Sequence, residues 1–382
     1  MTLIAPDGAY GGPARVAVNQ ASALTDLGHE VTIAAGQINY ENPPRELEGA
    51  AAQLFPSRFL IPGVGYAGVF APTMWSWLAH NAHRFDIAHI HLARDLVTIP
   101  AAYRLDKSGV PFVVQTHGMV VPRSHPLATS VDRLLTARLL RRAALVFYLN
   151  DRERSDLESI GGADLALDEL DNGTPLPSDE WLAKETQTDD DPVPEVLYFA
   201  RLHERKRPEV FAEAAIRLLR QGVRAKFSIV GPPAGAEDAV DRLIQCARRE
   251  GISASQLSRE PGVPPDQALE RISRAGVYVL PALREPFGMT IIEALTLRIP
   301  VVICRDGGLA SFVEEHECGL VVDGSVESVE QAITTLLDDP GLARLMGDRG
   351  RAAVRDELNI ERVGRELEKV YASVLNTDRG AR

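Results

Sequence analysis

Short apolar runs alternate with stretches whose apolar residues recur every three or four positions, and this alternation fills both halves of the chain. In the first half the runs are MTLIAP, HEVTIAA, FDIAHIHL, VPFVVQT and ALVFYLN, and the helical stretch PARVAVNQASALTDLG separates the first two. The rhythm predicts strands and helices in βαβ succession, hence a parallel, doubly wound sheet. Pro13 suits the first turn of that helix and Gly28 its end. Between Gly173 and Glu195 the periodicity stops in SDEWLAKETQTDDDPVPE, which is rich in acids, Pro and Thr. Such a stretch reads as a linker. The rhythm resumes with EVLYFA, a helix over 208–221, AKFSIVG, a helix over 236–250, GVYVLPA, a helix over 289–297, PVVIC and GLVV. A first Rossmann-like domain is expected over 1–176, a linker over 177–194 and a second Rossmann-like domain over 195–359. The last helix, beginning near Ile360 and assigned with residues 360–382, is expected to pack back on the first domain. No repeat of solenoid period is present.

At 382 residues the chain exceeds one ordinary core, so two domains with a cleft between them are expected. Hydrophobic residues at 45% and charged residues at 25% fit a soluble globular protein. Lys plus Arg is 41 against 53 Asp plus Glu, a net charge of 41 − 53 = −12, which disfavours nucleic acid as a partner. Any anion site must therefore be local. The three cysteines, Cys246, Cys304 and Cys318, form no CxxC pair, and a reducing cytoplasm is the expected location. The start MTLIAPDGAY has no basic region followed by a long apolar one, and the apolar run AALVFYL is too short to span a bilayer.

The most informative stretch is EPFGMTIIE, with Glu285 and Glu293 eight residues apart around a Phe-Gly turn. It follows the strand GVYVLPA and opens a helix, the place where open parallel sheets bind ligands. Gly288 lets backbone approach a ligand, and the amides of Met289 and Thr290 point outward as anion donors. Both carboxylates can then accept hydrogen bonds from hydroxyls of one polar ligand. After EVLYFA come Arg201 and Lys206 in ARLHERKRP, cations suited to a diphosphate. Hydroxyl acceptors beside diphosphate donors describe a nucleotide-sugar site.

These residues give the chain its resemblance to the retaining GT-B glycosyltransferases, a large family that includes bacterial transferases of cell-envelope polysaccharide synthesis. The resemblance runs from GGPARVAVNQASALTDLGHEVTI, through ARLHERKRP and the E-x7-E pair of EPFGMTIIE, to RDGGLASFVEEHECGLVV. It implies two Rossmann-like domains whose parallel sheets face each other across a cleft, and a metal-independent hexosyltransferase without a cofactor. The donor implied is a UDP- or GDP-sugar, and the acceptor a glycan, a lipid-linked sugar or a small molecule. By the same resemblance Arg201 and Lys206 bind the donor diphosphate and Glu293 the ribose. Glu285 and the backbone of Phe287, Gly288 and Met289 would hold the sugar. Gly12 would close over the phosphate, His117 would sit near the anomeric carbon, and Gly262 with Val263 would touch the base. Two features depart from the family pattern. Only ten residues precede Gly11, which suggests a trimmed first strand or a misplaced start, and GGPAR lacks the usual acidic-basic pair.

Breaking the anomeric bond builds negative charge on phosphate, so Arg201, Lys206 and the amides at 289 and 290 are the expected catalytic lever. Glu285 is expected to orient sugar hydroxyls, and closure about the linker to belong to the cycle. Two rival functions are a nucleotide-sugar epimerase of the same architecture and a non-catalytic nucleotide-sugar-binding subunit. GVGYAG at 63–68 matches the dinucleotide pattern GxGxxG, but it follows Pro62 and a poor strand, and reads better as a loop by the acceptor cleft. The DDD run at 189–191 reads as solvated charge rather than a metal site. His89 and His91 alternate on one strand face and could bind a metal only with further partners. The stretch around 123–142 carries Arg123, Arg133, Arg138, Arg141 and Arg142 against Asp132, with Leu134, Leu135, Leu139 and Leu140. It fits either an amphipathic helix docking at the inner face of the membrane or a core-packed helix with exposed arginines.

Overall fold

The computed structural model describes residues 2–5, 11–60, 65–122, 129, 130, 132–186 and 193–381. It divides into two compact units, Met1–Pro175 with Ile360–Arg382, and Leu176–Asn359.

In the first unit, β1 (Thr2–Ile4), β2 (Thr32–Gln37), β3 (Glu46–Leu47) and β4 (Ala50–Pro56) form one sheet in the order β1-β2-β4-β3, parallel except for β3. A short antiparallel pair, β5 (Arg58–Phe59) and β6 (Val69–Phe70), follows. A second, all-parallel ladder has the order β10-β9-β8-β7, from β7 (Ala88–His91), β8 (Phe112–Gln115), β9 (Leu145–Tyr148) and β10 (Leu167–Glu169). All four residues of β8 are buried, as expected of a strand covered on both faces. The helix Gly12–Asp26 has Pro13 in its first turn and ends at Gly28, whose φ of 91° is the left-handed value that favours glycine. Ala23 and Leu24 of this helix join Val113, Phe147 and Leu170 in a cluster with Ile360, Val363 and Leu367 of the helix Ile360–Ala381. A Cβ on Gly364 would lie 2.9 Å from the Ala23 Cβ, so the two helices approach closely there.

The second unit has one six-stranded parallel sheet: β11 (Glu195–Phe199), β12 (Lys226–Val230), β13 (Leu257–Glu260), β14 (Val277–Leu280), β15 (Val301–Cys304) and β16 (Gly319–Val322). Its order is β13-β12-β11-β14-β15-β16, the doubly wound pattern in which direction reverses between β11 and β14. The helix Pro208–Arg220 shows why the elements form: Pro208 starts it, and Val210, Phe211, Ala214, Ala215 and Leu218 bury one face. The helices Glu237–Arg249 and Met289–Thr296 fall where the periodicity predicts them.

Within the stretch read as a linker lies a helix, Asp179–Thr186, that the sequence pattern does not predict. Ser178 Oγ accepts the Trp181 N–H at 3.1 Å, Asp179 and Glu180 sit in the first turn, and Leu182 is buried. Arg351 ties the start down by donating to the Pro177 carbonyl at 2.8 Å and to Asp179 at 3.0 Å. Capping and one long-range arginine make a helix where no apolar stripe announces one. The DDD run at 189–191 lies outside the described residues. So do residues 61–64 of the glycine-rich stretch, while Gly65–Gly68 form a 3-10 turn leading into β6 rather than the start of a βαβ unit. No described helix is long and apolar enough to cross a membrane.

Candidate active site

Ligands of open parallel sheets bind beyond the carboxyl ends of the strands where the order reverses, here between β11 and β14. The two stretches singled out by the sequence leave the sheet there side by side: Arg201–Lys206 after β11 and Arg284–Gly288 after β14. Behind Arg201 the Leu202 N–H donates to Pro232 O at 3.0 Å, and the His203 N–H to Arg201 O at 2.8 Å. A Cβ on Gly231 would stand 1.9 Å from Ala200 O, so backbone packs on backbone directly beneath Arg201. The His203 ring accepts the Arg205 N–H at 3.1 Å and caps the 3-10 turn Glu204–Lys206. Arg207, left-handed at φ 52°, opens the next helix and sends its guanidinium to Gly324 O at 2.7 Å.

On the β14 side Arg284 is also left-handed, at φ 51°. The Glu285 carbonyl accepts the Gly308 N–H at 2.7 Å, and Leu283 N–H donates to Arg205 O at 2.9 Å, so the two loops are laced together. Gly288, at φ 88°, precedes the helix Met289–Thr296, whose Ile291 N–H donates to Gly288 O at 2.9 Å. The amides of Met289 and Thr290 come before that first donor and form the helix's anion-binding end. The side chains of Phe287 and Met289 are buried, so both offer a ligand their main chain.

Glu285 Oε2 lies 2.6 Å from Lys206 Nζ and 3.0 Å from Arg205 Nη1. Burial opposes the charge on Glu285, but the Lys206 ammonium and Arg205 guanidinium overcome it and hold the carboxyl below its ordinary range. Burial also pulls Lys206 down, against the attraction of Glu285. With Arg201 nearby, the cluster sets three cations against one carboxylate, a local surplus that suits a polyanion. Glu293, 6% exposed, lies in the helix behind. The Tyr278 hydroxyl donates to Phe199 O at 3.1 Å and meets Thr290 Oγ1 at 2.6 Å; burial and the charges of Glu293 and Glu285 hold its proton on. Thr290 therefore spends its hydroxyl on Tyr278 and keeps its amide for a ligand. Gly262 and Val263 follow β13, and a Cβ on Gly262 would lie 2.7 Å from Pro232 Cδ, so this loop packs against the one after β12.

In the first unit Gly12 is the first residue of its helix, behind Gly11 at φ 65°. His117 follows β8, is 7% exposed and left-handed at φ 51°. His89, His91 and His117 stack, with ring centroids 4.6 and 5.0 Å apart. His91 Nδ1 lies 2.8 Å from His117 Nε2, and His89 Nδ1 2.7 Å from the Tyr371 hydroxyl. Among the described residues no group of three or more His, Cys, Asp or Glu side chains could hold a metal ion.

Burial lowers the pKa of all three histidines, that of His117 to about 3. A depressed folded-state value stabilises above the unfolded value near 6.5, and that stability drains away as pH falls through 6.5 toward 3. At pH 5 one such histidine forfeits about 2 kcal/mol. Asp95, pushed up to about 6 by burial, and Glu153, raised by burial, work in the opposite direction. Thermal unfolding at pH 7.5 and pH 5 is expected to show a larger acid loss for wild type than for a His89→Gln/His91→Gln variant. Equal losses would contradict the buried neutral stack.

Leu139 and Leu140 of the basic stretch are buried in the first unit's core, and Arg142 pairs with Asp106 at 2.7 Å, whereas Leu134 and Leu135 are exposed. The core-packed description thus holds for the second half of that stretch. Arg123 lies outside the described residues. Sequence reasoning missed Arg205, hidden among the four consecutive charges of ERKR, and Tyr278, which looked like ordinary strand core.

The chain is similar to known proteins in sequence and in fold. The family "Glycosyl transferase 4-like domain" matches residues 11–168 and the family "Glycosyl transferases group 1" residues 179–353. The alpha-D-kanosaminyltransferase of Streptomyces kanamyceticus is 26% identical over 334 residues, covering 81% of this chain and 84% of that protein. A D-inositol 3-phosphate glycosyltransferase of Acidothermus cellulolyticus is 34% identical over 152 residues, 38% of this chain and 34% of that protein. The fold is similar to that of HepE from Anabaena, solved with UDP and glucose, at TM-score 0.75 and 19% identity over 97% of this chain and 98% of that one. These matches favour glycosyl transfer over the epimerase and binding-subunit alternatives. With a glycosyl transferase 4-like domain followed by a group 1 domain, the chain belongs to the GT-B glycosyltransferases.

Proposed function

We propose that the protein transfers a sugar from a UDP-sugar, with retention of anomeric configuration, to a hydroxyl of a small cyclitol-like acceptor. The observation that carries the donor side is the meeting of Lys206, Arg205 and Glu285 beside the amides of Met289 and Thr290 at the β11/β14 reversal. The UDP held by HepE supports uridine over guanosine, and the inositol in the second relative's name supports the acceptor class.

In this assignment Arg201, Lys206 and the two amides receive the diphosphate as charge builds on it, without reorganising at the moment of reaction. Glu293 accepts from the ribose hydroxyls, Val263 and Gly262 flank the base, and Glu285 with the Phe287–Met289 backbone orients the sugar. Gly12 contacts the phosphate, and His117 is assigned to the sugar near its anomeric carbon. The acceptor attacks from the face the phosphate leaves, and the departing phosphate takes the acceptor's proton, so no carboxylate acts as nucleophile.

Calorimetric titration with UDP, GDP and UDP-glucose tests the donor side. Wild type should bind UDP more tightly than GDP, and Glu293→Ala should weaken UDP by about tenfold, the loss of a hydrogen bond to a charged group, while melting near the wild-type temperature. Unchanged UDP affinity in that variant would remove the ribose assignment. Release of UDP from UDP-glucose that rises on adding myo-inositol would support the acceptor class, and no response to any cyclitol would count against it.

A further inference from the structure

We infer that Glu153 is a positioning residue for His117, acting from the helix behind the turn; this rests on the role proposed for His117. Glu153 lies at the start of the helix Asp151–Gly161, is 3% exposed, and has its own N–H capped by Asn150 Oδ1 at 3.0 Å. Its Oε1 accepts two hydrogen bonds, from Thr116 Oγ1 and from the Gly118 N–H, each at 2.5 Å. Its Oε2 accepts the Leu149 N–H at 2.9 Å. Thr116 and Gly118 are the two neighbours of His117, so one carboxylate oxygen grips the chain on both sides of it.

The grip has a conformational task. His117 at φ 51° and Gly118 at φ 69° make two consecutive left-handed residues, and for a histidine with a Cβ that conformation persists only where the surroundings impose it. Burying a carboxylate is unfavourable unless donors meet it, and here three donors do, two of them from the His117 turn. His91 holds the ring from the other side, at 2.8 Å between His91 Nδ1 and His117 Nε2. The remaining ring nitrogen, His117 Nδ1, is buried and has no hydrogen-bond partner among the described residues. A backbone held in the left-handed region and a ring held by one nitrogen together fix where the imidazole stands, and Glu153 maintains the first of these constraints.

A double-mutant cycle tests the inference, reading UDP release from the best wild-type donor among UDP-glucose, UDP-galactose and UDP-N-acetylglucosamine. Glu153→Gln keeps the shape but puts an amide among donors; it should lower kcat by about 10²-fold, the cost of misplacing a reacting group, with donor KM nearly unchanged. In a His117→Ala background the same change should cost less than about twofold, the limit of independent behaviour. Thr116→Val should show a smaller loss of the same kind and Thr116→Ser should recover, which keeps the test open if Glu153→Gln does not fold. Equal losses in both backgrounds, or an undiminished kcat in Glu153→Gln, would overturn the inference alone. An undiminished kcat in His117→Ala would instead overturn the role of His117, and the inference with it.

Discussion

An Arg201→Ala/Lys206→Ala variant is expected to lose tight UDP binding and to turn over at least about 10²-fold more slowly, since even one preorganised donor to a developing oxyanion contributes that much. The largest effect should come from Lys206. Its side chain is only 13% exposed, and its ammonium is held in place by Glu285 at 2.6 Å, so it needs no rearrangement as charge develops. Lys206→Arg should not rescue, because a planar guanidinium needs more room than the compact ammonium that fits against Glu285. Titration calorimetry with UDP and initial rates of UDP release check both statements. A double variant with wild-type UDP affinity would end the assignment of the diphosphate to this cluster.

The second large effect is expected from Glu285→Ala. Glu285 is 12% exposed, and removing it leaves Lys206 buried without its closest anion; breaking a buried pair in this way typically costs about 3–5 kcal/mol. Arg205 is 38% exposed and can turn toward water, so the loss should lie toward the lower end of that range. The variant should melt well below wild type and lose turnover through poor sugar orientation. UDP should restore part of its melting temperature, because a phosphate can take the carboxylate's place beside Lys206. Glu285→Gln, which keeps a hydrogen-bond acceptor, should fall between the two. Wild-type melting behaviour in Glu285→Ala would mean that the pair contributes little in solution.

Much of this site was legible from residue order because loops leaving a parallel sheet are short. Once EVLYFA and GVYVLPA read as strands, Arg201–Lys206 and Glu285–Glu293 had to lie at strand exits, and Gly288 before an apolar helical stretch marked a helix start. Other features left no local trace. β13 reads LSRE, and its charges are at home only because Arg259 meets Asp241 at 2.6 Å and Glu260 meets Arg271 at 3.0 Å. The helix Asp179–Thr186 depends on Arg351, more than 160 residues away. In ERKR all the cations look alike, yet Arg205 and Lys206 turn to Glu285 while Arg207 reaches Gly324.

By itself the sequence determined the alternation of strands and helices, the parallel sheet class, and the residue types gathered at the strand exits, because hydrophobic periodicity and the special conformations of Gly and Pro act over a few residues. Tertiary structure decided which cation pairs with Glu285, how the hydroxyl of Thr290 is used, and that Glu153 grips the turn carrying His117. Those choices depend on partners brought together across tens of residues, where burial makes each unmet charge or hydrogen bond unfavourable and so selects one arrangement among many that local pattern allows.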